Sequence, residues 1–167
     1  MRNEDNSIGV LFVCMGNICR SPTGEGVFRH YVSSAGQEGR IRIDSAGMLS
    51  YHAGEPPDAR MRAAAAKRGY VLDSLARQVT PQDIREFNLI VPMDNDNLYH
   101  LERMAGGASP HIRLLGSFIN GAGENYQAAE VPDPYYGGSG GFETVLDMIE
   151  SACPAMLEHC LALMQEK

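Results

Sequence analysis

Residues 8 to 22 read Ile8-Gly9-Val10-Leu11-Phe12-Val13-Cys14-Met15-Gly16-Asn17-Ile18-Cys19-Arg20-Ser21-Pro22, an apolar run that stops at a thiol and meets a helix-starting pair. Val10, Leu11, Phe12 and Val13 form a short continuous apolar segment rich in β-branched and aromatic residues, which predicts a strand buried on both faces. Gly16 and Asn17 accept left-handed backbone angles at low cost, so a tight loop is expected after the strand. Ser21 is placed to cap a helix whose first turn tolerates Pro22 without losing a hydrogen bond.

A strand, a tight loop and a helix N-terminus together make an anion cradle, because loop amides point inward and the helix dipole adds partial positive charge. Cys14 opens this cradle and Arg20 closes it. A thiolate would then lie beneath the anion while a planar guanidinium grips two of its oxygens. Thiolate is the nucleophilic form of cysteine, and positive surroundings favour it. The alternative, a Cys14 that only fills core space, would leave Arg20 charged beside apolar neighbours.

Val13, Cys14, Gly16, Asn17, Ile18, Cys19, Arg20, Ser21 and Pro22 resemble the signature of the low-molecular-weight protein tyrosine phosphatase family. Similarity continues through Asp44-Ser45-Ala46-Gly47, His52, Gly54-Glu55-Pro56-Pro57-Asp58, Ala76-Arg77-Gln78, Met93-Asp94 and Asn97-Leu98, most of the chain. The resemblance implies that Cys14 is the nucleophile, that Arg20 binds phosphate and that the Ser21 hydroxyl bonds the sulfur. Met15, Gly16, Asn17, Ile18 and Cys19 would form the phosphate loop, with Asn17 holding its shape and Ser45 supporting Asn17. Many family members add a supporting histidine just before Ala76-Arg77-Gln78; this chain has Ser74 there, expected to reach Asn17 through a shorter bond or a water.

Asp133-Pro134-Tyr135-Tyr136 reads, from its residues alone, as an Asp-Pro turn in which the proline confines Asp133 to extended angles. The resemblance makes Asp133 the general acid, a role that contributes roughly 10²- to 10⁴-fold. It also places Tyr135 and Tyr136 at the pocket mouth, where rings stack on a phosphotyrosine, and gives Ile18 and Tyr51 the apolar walls. The implied reaction passes through a cysteinyl-phosphate and needs no metal or organic cofactor. Its partners would be phosphotyrosine-containing proteins, with phosphate and other oxyanions binding the same loop. Relatives that prefer phosphoarginine carry threonine where Ile18 stands.

A length of 167 residues and a 44% hydrophobic content suit one domain with a sizeable core. The net charge of −7 argues against general nucleic-acid or membrane-surface binding, which rely on basic patches. Residues 1–7 are polar and acidic and are expected to form a flexible N-terminus ahead of a phosphatase domain over 8–167. No apolar run approaches the length of about 18 residues needed for a membrane span, and a cytoplasmic location is expected.

The four cysteines, at 14, 19, 153 and 160, are too few for a disulfide scaffold. Cys153, His159 and Cys160 lie on one expected helix with no complementary ligands, so core packing is the better reading than a metal site. Cys19 is close to Cys14 in a short loop, and the resemblance likewise points to a reversible Cys14–Cys19 disulfide under oxidation. An arsenate reductase on the same scaffold would relay its disulfide through middle-segment cysteines, whereas residues 20 to 152 contain none. A noncatalytic phosphotyrosine-binding module would have no use for thiol, arginine and acid together.

Along the chain, apolar spacing predicts a helix over 22–34, a strand over 40–46, helices over 58–68, 81–86 and 94–104, strands over 89–91 and 111–115, a long loop over 116–132 and a final helix over 141–165. Arg60, Arg62, Lys67 and Arg68 are expected on a solvated face, and Pro154 is expected to kink the last helix. The fold predicted is a single α/β domain with a four-stranded parallel twisted sheet and helices on both faces. Ligands in such sheets bind at the carboxyl ends of the strands, where Cys14 stands.

Overall fold

The central strand, β1 (Ile8–Cys14), is buried along its whole length and pairs in parallel with β2 (Ile41–Gly47) on one side and β3 (Leu89–Pro92) on the other. The computed structural model describes residues 6–119, 129–138 and 140–166, with the backbone alone at Tyr136. The expected flexible N-terminus up to Asp5, and residues 120–128 of the expected loop, lie outside the described residues.

Strand alternation explains why β1 is apolar throughout: successive side chains enter different cores. Val10, Phe12 and Cys14 pack with α1 (Arg20–Ser34), α2 (Ala59–Ala66) and α5 (Gly140–Gln165). Leu11 and Val13 pack on the other face with Ile84 of α3 (Pro81–Glu86) and Leu101 of α4 (Asn95–Ala105). The Phe12 and Phe28 rings meet edge-on with centroids 5.8 Å apart, fixing α1 against the sheet. The helix ends obey their local chemistry: Asp58 and Asp94 cap α2 and α4, Thr80 and Asp83 form a capping box on α3, and Gly106 ends α4 with a left-handed φ of 85°.

Among the described residues three strands form the sheet, not the four expected. Segment 111–115 contributes one isolated parallel bridge, Ile90 with Ile112. Ile90 N donates to His111 O (2.8 Å) and Arg113 N to Ile90 O (2.9 Å), but Ile112 N turns back to Ser109 O and Ser117 N takes Leu114 O as a short 3₁₀ turn, Leu115–Phe118, begins. Turns on both sides consume the donors and acceptors that a longer ladder requires.

Arg60, Arg62 and Lys67 face solvent, but Arg68 leaves the expected solvated face. Its guanidinium reaches Glu143 (2.6 Å), Asp147 (3.0 Å) and Glu150 (2.7 Å), tying α2 to α5. Pro154 lies inside α5, which runs unbroken through it, and Cys153 and Cys160 are fully buried in the core.

Candidate active site

The carboxyl ends of β1 and β2 lie side by side, with Cys14 paired in register with Gly47. Beyond Cys14 the chain turns tightly and α1 begins at Arg20, with Cys19 rather than Ser21 at the N-cap and no side chain capping it. Ser21 is inside the first turn, so its hydroxyl is free for another use. Its Oγ lies 3.0 Å from Cys14 Sγ and 3.3 Å from Ala46 O, and its single proton can serve either.

Asn17 is the one non-glycine residue with positive φ (59°) among the described residues. That conformation lets its backbone N donate to Cys14 Sγ (3.3 Å) while Nδ2 donates to Ser21 Oγ (2.8 Å). Gly16 does not share the left-handed angle expected of it. It is needed for space, because a Cβ there would lie 3.0 Å from His52 Cδ2. Gly47 is more constrained still: a Cβ would come within 2.9 Å of Met15 O and 3.0 Å of Asn17 N, both backbone atoms of the loop.

Arg20 is 2% exposed, and its Nη1 donates to Asp94 Oδ2 (2.6 Å) and Val131 O (3.1 Å). Its Nη2 stands 3.6 Å from Asp133 Oδ2. Burial works against its charge, but the Cys14 sulfur and the Asp94 and Asp133 carboxylates outweigh it and hold the guanidinium above its ordinary pKa. Asp133 forms the expected Asp-Pro turn: Oδ1 accepts from Tyr135 N (3.0 Å) to cap a short 3₁₀ turn, Pro134–Tyr136, while Oδ2 lies 3.6 Å from Arg20 Nη2.

A cleft of about 330 Å³ brings Cys14, Arg20 and Asp133 together across the sheet edge. Met15, Gly16, Ile18 and Cys19 line it, as do Tyr51 and Tyr135 at its exposed side. Cys19 is buried beside Cys14 in this lining, and burial, together with Asp58, Cys14 and Asp133, pushes its thiol up to about 12. Asn17 and Ser21 act from behind the loop, and the Tyr136 side chain lies outside the described residues.

Two loop supports differ from expectation. Ser45 does not bond Asn17; its hydroxyl donates to Glu25 Oε1 (2.6 Å), because a carboxylate buried on α1 needs donors more than an already paired amide does. No direct bond joins Ser74 to Asn17, whose Oδ1 accepts instead from the backbone N of Arg77 (3.0 Å). Sequence reasoning gave no role to Asp94, which holds Arg20 with one oxygen and caps α4 with the other (Asn97 N, 2.8 Å). Its position just after β3, at the same sheet edge as Cys14, was the available signal. Leu49 and His52, which also line the cleft, were likewise given no part in it.

Among the described residues, no group of three or more His, Cys, Asp or Glu is arranged to hold a metal ion, and no helix is long and apolar enough to cross a membrane.

A family model described as low molecular weight phosphotyrosine protein phosphatase matches residues 9–166. The low molecular weight protein-tyrosine-phosphatase YfkJ of Bacillus subtilis is 42% identical over 152 residues, 90% of this chain and 94% of that one. The YfkJ crystal structure aligns with a TM-score of 0.83 at 40% identity, covering 96% of this chain and 97% of that one. A protein tyrosine phosphatase of Entamoeba histolytica with Hepes in its active site aligns with a TM-score of 0.82 at 40% identity, over 90% of this chain and 95% of its own. A Drosophila arginine phosphatase aligns with a TM-score of 0.79 at 36% identity, over 90% and 96%. With the match spanning nearly its whole length, the chain belongs to the low molecular weight phosphotyrosine protein phosphatase family and is a hydrolase of that family.

Proposed function

We propose that this enzyme hydrolyses phosphotyrosine in proteins through a cysteinyl-phosphate intermediate, with Cys14 as nucleophile, Arg20 as phosphate ligand and Asp133 as general acid and base. The observation that carries this reading is one cleft in which a sulfur receives the Asn17 N–H at 3.3 Å while a buried guanidinium stands 3.6 Å from the Asp133 carboxylate.

In the first step the Cys14 sulfur attacks phosphorus. The S–P bond forms as the P–O bond to the phenol breaks, and the Asp133 proton passes to the departing oxygen. Arg20 and the loop amides stabilise the charge on the equatorial oxygens. Water then attacks phosphorus, Asp133 takes its proton, and the S–P bond breaks to release phosphate. The Ser21 hydroxyl, 3.0 Å from the sulfur, stabilises the thiolate that leaves. The relative with Hepes in its active site supports oxyanion binding by this loop. Tyr51 and Tyr135 offer rings to an aromatic leaving group, and the side chain of Ile18, which also lines the cleft, is purely apolar.

Purified enzyme should hydrolyse p-nitrophenyl phosphate and phosphotyrosine peptides without added metal, and Cys14→Ser should abolish this. Asp133→Ala should slow poor leaving groups most. Activity surviving Cys14→Ser would refute the mechanism. Turnover of phosphoarginine faster than phosphotyrosine would instead favour the activity named for the Drosophila relative.

A further inference from the structure

We infer that Arg77, which lies outside the cleft, is a positioning residue whose side chain holds its own peptide group rigid so that this group fixes the anion loop; the inference rests on the phosphatase reading above. All five guanidinium N–H groups are engaged. Nε and Nη2 donate to Asp44 Oδ2 in the middle of β2 (3.3 and 3.0 Å). Nη1 and Nη2 donate to the two Asp83 oxygens (2.9 and 3.1 Å), and Nη1 also reaches Gln78 O at 3.4 Å. Asp83 is itself anchored, accepting from Thr80 N at 2.8 Å in the capping box of α3.

The peptide units that this clamp immobilises face the loop on both sides. Arg77 N donates to Asn17 Oδ1 (3.0 Å), and Arg77 O accepts from Gly47 N (2.8 Å). Asn17 is the residue held in a left-handed conformation, the one that spends its backbone N–H on the Cys14 sulfur and its amide on Ser21. Gly47 is the residue at which an added Cβ would come within about 3 Å of the loop backbone. Arg77 therefore grips the two positions on which loop shape depends, and does so without lining the cleft. A backbone N–H orients Asn17 only as well as its own peptide is oriented, which gives the two carboxylates a part in the geometry of a sulfur that neither touches.

The test compares wild type with Asp83→Asn, Arg77→Lys and the double variant, with Asp44→Asn as a milder change because that carboxylate is 39% exposed. Three quantities are measured on each folded protein: kcat for p-nitrophenyl phosphate, the dissociation constant for inorganic phosphate by calorimetry, and hydrogen exchange at the Arg77 amide. Asp83→Asn and Arg77→Lys should each lower kcat and weaken phosphate about tenfold, as expected for a misplaced catalytic group. The Arg77 amide should exchange faster, and the double variant should lose little more than either single one. A clamp that matters only for stability would lower the melting temperature and leave kcat and phosphate binding at wild-type values, and that result would overturn the inference. Unchanged exchange at the Arg77 amide would overturn it as well. Phosphate binding and amide exchange are read without turnover, so they judge the clamp even if wild type proves inactive.

Discussion

Asp94 does two jobs with two oxygens, and substitutions there separate them. Oδ2 holds a guanidinium that is 2% exposed, and Oδ1 caps α4. Breaking a buried ion pair from one side costs about 3–5 kcal/mol because the other charge is stranded. Here Asp94 is 20% exposed, and Val131 O and Asp133 remain near Arg20, so the cost falls at the low end. Asp94→Asn keeps a good capping residue and, with its amide oxygen on the cap, turns an NH2 towards Arg20, so that the charge and the acceptor are both lost, for an expected loss of about 2–3 kcal/mol. In a domain of this size that is roughly 4–12 °C in melting temperature. Asp94→Ala also loses the cap, worth about 1 kcal/mol more. The assay is thermal and urea unfolding monitored by circular dichroism, with and without inorganic phosphate. Phosphate at a hundred times its Kd adds about 2.7 kcal/mol to a form that binds it, and an anion beside Arg20 should close part of the gap between Asp94→Asn and wild type. Melting temperatures for Asn and Ala variants within a degree or so of wild type would show that the pair does not hold Arg20.

Gly47→Ala places a methyl against backbone atoms that cannot rotate away, so a loss of about 1–3 kcal/mol and a fall in kcat are expected; wild-type turnover would contradict the close approach. Burial and then the neighbouring Arg113, opposed by Glu166, lower the pKa of His159 in the folded chain. Its contribution to stability is therefore complete above the unfolded value of about 6.5 and is lost as pH falls through the lower folded value. His159→Gln should flatten the melting-temperature profile in that acid window, and a profile with the wild-type slope would remove His159 as its cause. Peroxide should convert Cys14 to a sulfenic acid, with which the Cys19 thiol condenses with loss of water. Under excess peroxide, inactivation should be reversed by dithiothreitol in wild type but not in Cys19→Ser, where no thiol traps the sulfenic acid and a second peroxide takes it on to the irreversible sulfinic acid; equal recovery in both would exclude the Cys14–Cys19 disulfide.

The stretch 8–22 and the helix spans were legible in the sequence, apart from the cap of α1, because they rest on local chemistry. An apolar run with no polar face has to be buried on both sides, a loop with Gly16 and Asn17 turns tightly, and Asp58, Thr80 and Asp94 each cap the helix that begins one residue later. The order thiol, loop, arginine, helix was therefore readable from Cys14 to Pro22 alone. The tertiary structure decided who meets whom across the sheet edge. Arg20 finds Asp94 and Val131 at separations of 74 and 111 residues, and Asn17 finds the Arg77 amide 60 residues on. Such meetings depend on strand register and on how α1 and α4 abut β1, which no local periodicity carries. The same holds for the missing fourth strand, whose sequence suited a strand but whose backbone groups were claimed by the turns on either side. Local preference is a property of neighbours in the chain, whereas the last competition for each buried donor and acceptor is settled between segments brought together by packing.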